Sequence, residues 1–360
     1  YYGYRAQKEA IEEIGKVVTL PINKINGFSF YSDSSRIAIC GRDDEGQWDL
    51  SLYVVQRDTA KEHEVKEERK KEEEKSESQN DKKTGFFAGL FGKNKQEDEK
   101  KKKQKPIIIW EKKEIDYGSF HRVMEWSPDG RKLAYAKFHF GNHQSMVNDI
   151  KVYDIDIKKS VWLTESLRAS HPDWSPDGKQ IVFVAHKNSV ANLYTMNADG
   201  SDKKQVTNHT YDTQIVNPHY SPDGKSIIFS MADKDANLDL FILSVATGGV
   251  QRITKDSAAD YNPVWHPDGK YVSYTSHAGG TPNIHTVNIA TGESKQISDV
   301  GDAVWAAQWS PSDSTLMATT LPDVDTVRIV NVDPHRVITT EKLSMRDRFT
   351  DWRNVQPAVP

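Results

Sequence analysis

The 360-residue sequence contains a single cysteine, Cys40. That excludes an intramolecular disulfide framework and any multi-thiolate metal centre, and leaves Cys40 the role of a small apolar residue. No run of about 18 apolar residues occurs, so the pattern of a membrane-spanning helix is missing. Neither sign of charge dominates: 48 basic residues against 52 acidic ones leave a net charge of −4. A chain-wide field for nucleic acid or an anionic membrane is therefore absent, and no nucleic-acid partner is expected. Catalytic signatures are equally scarce. There is no Gly-x-Ser-x-Gly elbow, no phosphate-cradling glycine loop and no His-Glu-x-x-His pair. After residue 340 only twenty residues remain, too few for a hydrolase domain within this sequence. Neither an enzymatic activity nor a cofactor is expected.

What the sequence does have is repetition. "WSPDGR" begins at Trp126, "WSPDGK" at Trp174, "YSPDGK" at Tyr220, "WHPDGK" at Trp265 and "WSPSDS" at Trp309, at intervals of 48, 46, 45 and 44 residues. "FYSDSSRIAIC" from Phe30 aligns with "WSPDGKQIVFV" from Trp174, and the 96 residues between Phe30 and Trp126 are one unit plus an insertion. Six units result. Within a unit, Pro-Asp-Gly turns and further turns separate short β-branched and aromatic runs, the pattern of a four-stranded antiparallel meander. Such a meander has two faces to bury, and stacking like sheets buries both. The expected fold is all-β: a β-propeller of six four-stranded blades, the alternative being seven with the last incomplete and closed by the N-terminal strand. "GKVVTL" at 15–20 has the phase of an outermost strand and is expected to pair with the final blade, whose own last strand is read in "RVITTEKL". The predicted organisation is a short helix or juxtamembrane segment at 1–14, the closing strand and the start of blade one at 15–56, an insertion at 57–105, the rest of the propeller at 106–345, and an extension at 346–360.

The stretch "NLYTMNADGSDKKQVTNHTYDTQIVNPHYSPDGKSIIFS" (192–230), echoed by "DLFILSVATGGVQRITKDSAADYNPVWHPDGKYVSYTS" (239–276), resembles the repeat of TolB-type propellers, strongly over 119–310 and more weakly over 15–56. The resemblance implies a six-bladed periplasmic propeller that docks peptides and partner proteins. Related propellers gate prolyl-oligopeptidase-like peptidases or act as metal-dependent oligogalacturonate lyases. The sequence differs from TolB in having no evident α/β domain ahead of the propeller and in carrying the charged insertion.

Candidate functional residues are those that break the repeat. Asp129, Asp177, Asp223 and Asp268 recur at one phase, which assigns them to turns rather than to catalysis. His171, His219 and His266 lie near their unit aromatics and are the candidates for a metal site, but their offsets differ (three before, one before, one after), so they do not occupy one equivalent position and no metal is expected. Of the 49 insertion residues 29 are charged, a composition that cannot bury enough apolar area to order the backbone. In its middle "TGFFAGLFG" carries Phe86, Phe87, Leu90 and Phe91, the form of a linear docking motif or membrane-interface anchor. A second departure, "KFHFGNHQSMVNDIK" (137–151), adds Phe138 and Phe140 in what is read as a long connection. The expected function is a non-catalytic, protein-binding propeller, a docking or assembly subunit of a cell-envelope complex. The rival is a channel-mouth small-ligand binder or a metal-dependent lyase-like enzyme. The expected location is periplasmic or otherwise extracytoplasmic, with membrane association through the N-terminus, anchored upstream of Tyr1, or through the insertion.

Overall fold

The computed structural model describes residues 17–18, 24–31, 36–42, 50–58, 60–61, 63–68, 70–71, 110–142, 144–210, 213–232, 237–299, 304–309, 316–320, 327–330 and 338–339. Two compact units are present: Tyr1–Val54 with Lys113–Pro360, and Val55–Lys112. In the smaller unit the described residues between 60 and 71 are helical, and 110–112 are strand. Asp58 opens that stretch, its Oδ1 accepting the Lys61 N–H at 3.0 Å. The helix expected at 1–14 lies outside the described residues.

The period of the sequence becomes a period of sheets. Strand β1 (Val17–Val18) precedes the first meander, β2 (Lys24–Phe30), β3 (Arg36–Arg42), β4 (Leu50–Arg57) and β5 (Trp110–Gly118). The second comprises β6 (Phe120–Trp126), β7 (Lys132–Phe140), β8 (Met146–Asp154) and β9 (Lys159–Trp162). The third runs β10 (Ala169–Trp174), β11 (Gln180–Lys187), β12 (Val190–Asn197) and β13 (Lys204–Gln205). The fourth is β14 (Gln214–Tyr220), β15 (Ser226–Ala232), β16 (Leu238–Ser244) and β17 (Val250–Arg252), and the fifth β18 (Asp260–Trp265), β19 (Tyr271–Ser276), β20 (Asn283–Asn288) and β21 (Ser294–Gln296). First strands of successive blades pack on one another, β2 on β6, β6 on β10, β10 on β14 and β14 on β18. This is a β-propeller.

The expected count of six four-stranded blades, or of seven with the last incomplete, needs correction. Among the described residues five blades are four-stranded meanders of consecutive strands, the first with the insertion between β4 and β5; the remaining four-stranded sheet is composite, with order β1-β25-β24-β23, built from β23 (Val304–Trp309), β24 (Leu316–Thr320), β25 (Val327–Val330) and the N-terminal β1. Val17 stands opposite Arg328 and Val18 opposite Val327. The outer place therefore belongs to the N-terminal strand and not to "RVITTEKL". From that stretch, β26 (Ile338–Thr339) instead pairs in parallel with β22 (Ser298–Asp299). An outer position filled from the N-terminus leaves no ladder for the C-terminal segment to join there.

Among the described residues the same turn joins the first and second strands of blades two to five, with one substitution in blade five. In the third, the Gly178 N–H donates to the Ser175 carbonyl (2.8 Å), Ser175 Oγ donates to Asp177 Oδ1 (2.7 Å), and Asp177 Oδ1 also accepts the Lys179 N–H (3.1 Å). The Ser175 hydroxyl and the Lys179 amide hold the Asp177 carboxyl below its ordinary value. The set recurs at Ser127-Asp129-Arg131 and Ser221-Asp223-Lys225. In blade five His266 takes the serine's place, with Nδ1 2.9 Å from Asp268 Oδ1. Glycine is required in this turn for its positive φ. At Gly130 (φ 67°) it is required twice, since a Cβ there would lie 2.3 Å from the Tyr31 ring of the preceding blade.

The unit aromatics tie neighbouring blades together. Trp126 Nε1 donates to the Ser29 carbonyl (3.1 Å), Trp174 Nε1 to that of Glu125 (3.1 Å) and Trp265 Nε1 to that of His219 (3.2 Å). Every acceptor lies one residue before the aromatic of the preceding unit. Apolar clusters fill the space between these bonds, for example Ala136, Ile150, Trp174, Ile181 and Phe183 between blades two and three.

Candidate functional site

Just ahead of their aromatics, the first strands carry a bulge. The register shifts between Ser170 and Asp173, between Val216 and His219, and between Tyr261 and Val264. The residue three before the aromatic, His171, Asn217 or Asn262, has a left-handed backbone with φ of 52°, 51° and 53° respectively. Asn and His are among the side chains best suited to that region, and a bulge re-aims the side chains around it.

One residue before the aromatic, successive first strands present Ser29, Glu125, Asp173 and His219, a polar row. Ser29 Oγ donates to Glu125 Oε2 at 3.2 Å. Asp173 Oδ2 accepts the Tyr220 N–H at 2.7 Å, and its Oδ1 lies 3.4 Å from His219 Nδ1. Alongside, the rings of His121 and His171 meet edge to face with centroids 4.2 Å apart. Burial, with Arg122 adding to it, pushes the His121 pKa down to about 4. Burial and then the neighbouring His121, His219 and His186 hold His171 well below its ordinary value. His219 goes the other way: burial opposes its charge, but the Asp173 carboxylate, with Glu125 behind it, outweighs burial and raises its pKa. The row thus joins carboxylates, a histidine biased toward imidazolium and two neutral imidazoles, a surface able to hydrogen-bond a polar ligand.

A different surface is presented by blade two. The stretch read as a long connection is strand on both sides: β7 and β8 are nine residues each, and the turn between them is closed by the Gly141 N–H to Ser145 carbonyl bond (3.0 Å). Phe140 stands opposite Met146 in the ladder, and they are 72% and 58% exposed. With Phe138, Ile157, Val161, Trp162 and Leu167, also exposed, they make seven of the ten exposed large hydrophobic residues among those described. Outer strand β9, "KSVW", contributes Val161 and Trp162, where β13, β17 and β21 carry "KQ", "VQR" and "SKQ".

Beneath this surface the blade is pinned by buried ionic contacts. The fully buried Asp149 accepts from Thr164 Oγ1 (2.7 Å), the Ser166 N–H (2.6 Å) and the Leu167 N–H (3.1 Å), and lies 2.8 Å from His139 Nε2. The His139 ring packs on Trp162 at 4.4 Å, and Lys151 Nζ sits 5.3 Å above the Trp162 ring. Asp116 joins Lys137 (2.5 Å), Lys151 (2.8 Å) and the Tyr135 hydroxyl (2.7 Å). Burial would raise its pKa, but these partners together lower it. A hairpin held at its base presents its apolar tip with little left to order.

The residues singled out in the sequence fall into three groups. Phe138 and Phe140 are exposed on the blade-two hairpin. Phe86, Phe87, Leu90 and Phe91 lie outside the described residues. Of the three histidines, His171 and His219 are neighbours on adjacent first strands, whereas His266 belongs to the blade-five turn and packs its ring on Trp309 at 4.7 Å. No group of three His, Cys, Asp or Glu side chains placed to hold a metal occurs among the described residues. Sequence reading missed His121, Glu125 and Asp173; the last two share the phase of Ser29 and His219, and aligning the units on their aromatic would have found them. Met146 was missed because the hairpin was taken for a loop, and Trp162 because it lies in outer strand β9, beyond that stretch.

Residues 121–233 and 210–346 match the profile of the family described as the TolB beta propeller domain, PD40. An uncharacterized peptidase of Bacillus subtilis, YuxL, is 23% identical over 189 residues, 42% of this chain and 29% of that protein. A TolB homolog of Chlorobaculum tepidum is 28% identical over 89 residues, 25% of this chain and 20% of that protein. The chain spans between about a fifth and about half of the length of the curated relatives it matches. Among solved structures, a TolB candidate from Agrobacterium tumefaciens has a TM-score of 0.53 at 18% identity, covering 86% of this chain and 90% of that one, a likeness of fold.

Proposed function

The chain belongs to the TolB β-propeller domain family, and from that premise we propose that it is a non-catalytic docking subunit of a cell-envelope assembly, binding a protein partner through the blade-two hairpin. The observation that carries this reading is the exposure of Phe138, Phe140 and Met146 on one face at the tip of the β7–β8 hairpin, with Val161 and Trp162 also exposed on the outer strand of the same blade, while the described outer strands of blades three to five are short and mostly polar. Phe138, Phe140 and Met146 are neighbours on one face of a paired hairpin, neighbouring exposed apolar side chains mark interaction surfaces, and aromatic and methionine side chains are those that interfaces favour. Rigidity matters as much as area, because a pre-ordered surface loses little entropy when the partner arrives. The extracytoplasmic location is part of the proposal, supported by relatives named TolB homolog and Tol-Pal system protein TolB. So is the participation of Phe86, Phe87, Leu90 and Phe91 as a tethered second contact, which would raise avidity.

The test is crosslinking capture from native membranes and soluble extract with three chains: intact, Phe140→Asp with Met146→Asp, and one lacking residues 84–92. Partners lost with the double substitution place docking on blade two; partners lost with the deletion alone move it to the insertion. An unchanged partner set in both overturns the reading.

The rival reading, a small-ligand binder, is favoured by the polar row of Glu125, Asp173 and His219 beside His121 and His171. It predicts that His219→Ala abolishes ligand retention while leaving protein capture unchanged.

A further inference from the structure

Blades meet face to face, and one row of that contact changes chemistry along the chain. Five residues before the unit aromatic, the first strand carries Ala169 in blade three, Ile215 in blade four and Asp260 in blade five. Ten residues after the aromatic of the preceding blade come Ala136, Val184 and Ser230. Ala136 and Ala169 share one apolar cluster, and Val184 and Ile215 share the next. By the same register, with β15 packed on β18, the third of these contacts sets Ser230 against Asp260, and both are completely buried.

Neither oxygen of the Asp260 carboxylate has a hydrogen-bond partner within geometric limits, and neither has Ser230 Oγ. The hydroxyl side chains of Thr254 and Ser276 border the carboxylate, as do the charges of Asp239 and Asp256, and Tyr274 is near enough to feel it. Asp239 is already matched by Arg252 at 2.5 Å. What is left is one buried, uncompensated negative charge among oxygen donors. Buried polar atoms without partners are rare enough in folded proteins to require an occupant, and an isolated buried carboxylate is strongly unfavourable without a counter-charge.

We propose that Asp260 and Ser230 form a binding site for a small monovalent cation, of which Na+ is the probe, between the fourth and fifth blades. The donor set is all oxygen, which selects hard cations over the transition metals that imidazole and thiolate hold. One carboxylate balances one positive charge; a divalent ion would leave a net charge in the same closed space. Proton and cation compete for the carboxylate, whose pKa burial raises to about 6. The cation's effect on stability therefore grows as pH rises through that value.

Thermal unfolding of the full chain is measured in sodium, potassium, calcium and tetramethylammonium chlorides at constant ionic strength, at a pH near 5 and near 8. Sodium raises the melting temperature over tetramethylammonium near pH 8, has little effect near pH 5, and loses its effect in Asp260→Asn. Ser230→Ala restores the apolar chemistry of the equivalent positions, folds, and shows a reduced sodium shift. Equal melting temperatures in all four salts, a shift from calcium alone, or a sodium shift that survives Asp260→Asn would each overturn the proposal.

Discussion

A buried imidazole stays neutral because burial disfavours its charged form, and the consequence is a stability that depends on pH. The folded pKa of His121 is about 4, against 6.5 for the free side chain. As pH falls from 6.5 toward 4 the unfolded chain takes up the proton first, so stability present above 6.5 is lost through that window. At about 1.36 kcal/mol per pH unit, His121 alone costs about 2 kcal/mol by roughly pH 5. His171 acts in the same direction. His219, whose pKa is raised, acts in the opposite one: its contribution is complete below the unfolded pKa and fades as pH rises through the folded value. In urea unfolding at about pH 7 and about pH 5, His121→Gln is expected to remove an acid-side loss of about 2 kcal/mol that the intact chain shows. An identical pH dependence in the variant would show that other groups set the acid limit. The turn aspartates were legible in the sequence because equal phase means equal role. The pairing of His171 with its neighbours was not, since it depends on a bulge, and a bulge is fixed by cross-strand register rather than by local residue choice.

At the scale of the element, the unit aromatics make two predictions of opposite sign. Trp174 donates its indole N–H to the Glu125 carbonyl, and Trp174→Phe leaves that carbonyl without this partner, at an expected cost of about 1–2 kcal/mol in urea unfolding. Tyr220 occupies the same phase, but its buried hydroxyl has no hydrogen-bond partner. Tyr220→Phe is therefore expected to be neutral or stabilising, since it removes an unsatisfied hydroxyl and keeps the ring. A comparable loss in both variants would assign the effect to packing rather than to the hydrogen bond between blades. The continuous meanders of blades two to five were readable because β-branched runs and Pro-Asp-Gly turns alternate within each period. The blade-two hairpin was not: "KFHFGNHQSMVNDIK" holds a Gly-Asn pair amid polar residues, and only the pairing of Phe138 with Asn148 and Phe140 with Met146 makes it strand.

For the whole molecule, the decisive contact is the one that brings the chain's two ends into a single sheet. β1 supplies the outer strand against β25, a pairing the phase of "GKVVTL" pointed to, while the parallel pairing of β22 with β26 had no counterpart in the sequence pattern. A repeat fold whose units contact only their neighbours unfolds in steps unless something ties the last unit to the first. Here that tie is a two-residue ladder in which Val17 faces Arg328 and Val18 faces Val327. Proline at both positions removes the backbone donors and the extended pairing with them, and at about 1 kcal/mol for each lost hydrogen bond the direct cost is small. The loss of cooperativity is expected to be the larger effect. Val17→Pro with Val18→Pro should broaden the urea transition and lower its slope. Tryptophan fluorescence, weighted toward Trp126, Trp174, Trp265 and Trp309, should then separate from the far-ultraviolet signal of all the strands. Deleting residues 1–20 should reproduce the behaviour. If both variants instead keep a single steep transition with coincident probes, the five continuous blades hold together through their shared faces alone, and the strand exchange at the termini adds stability without setting cooperativity.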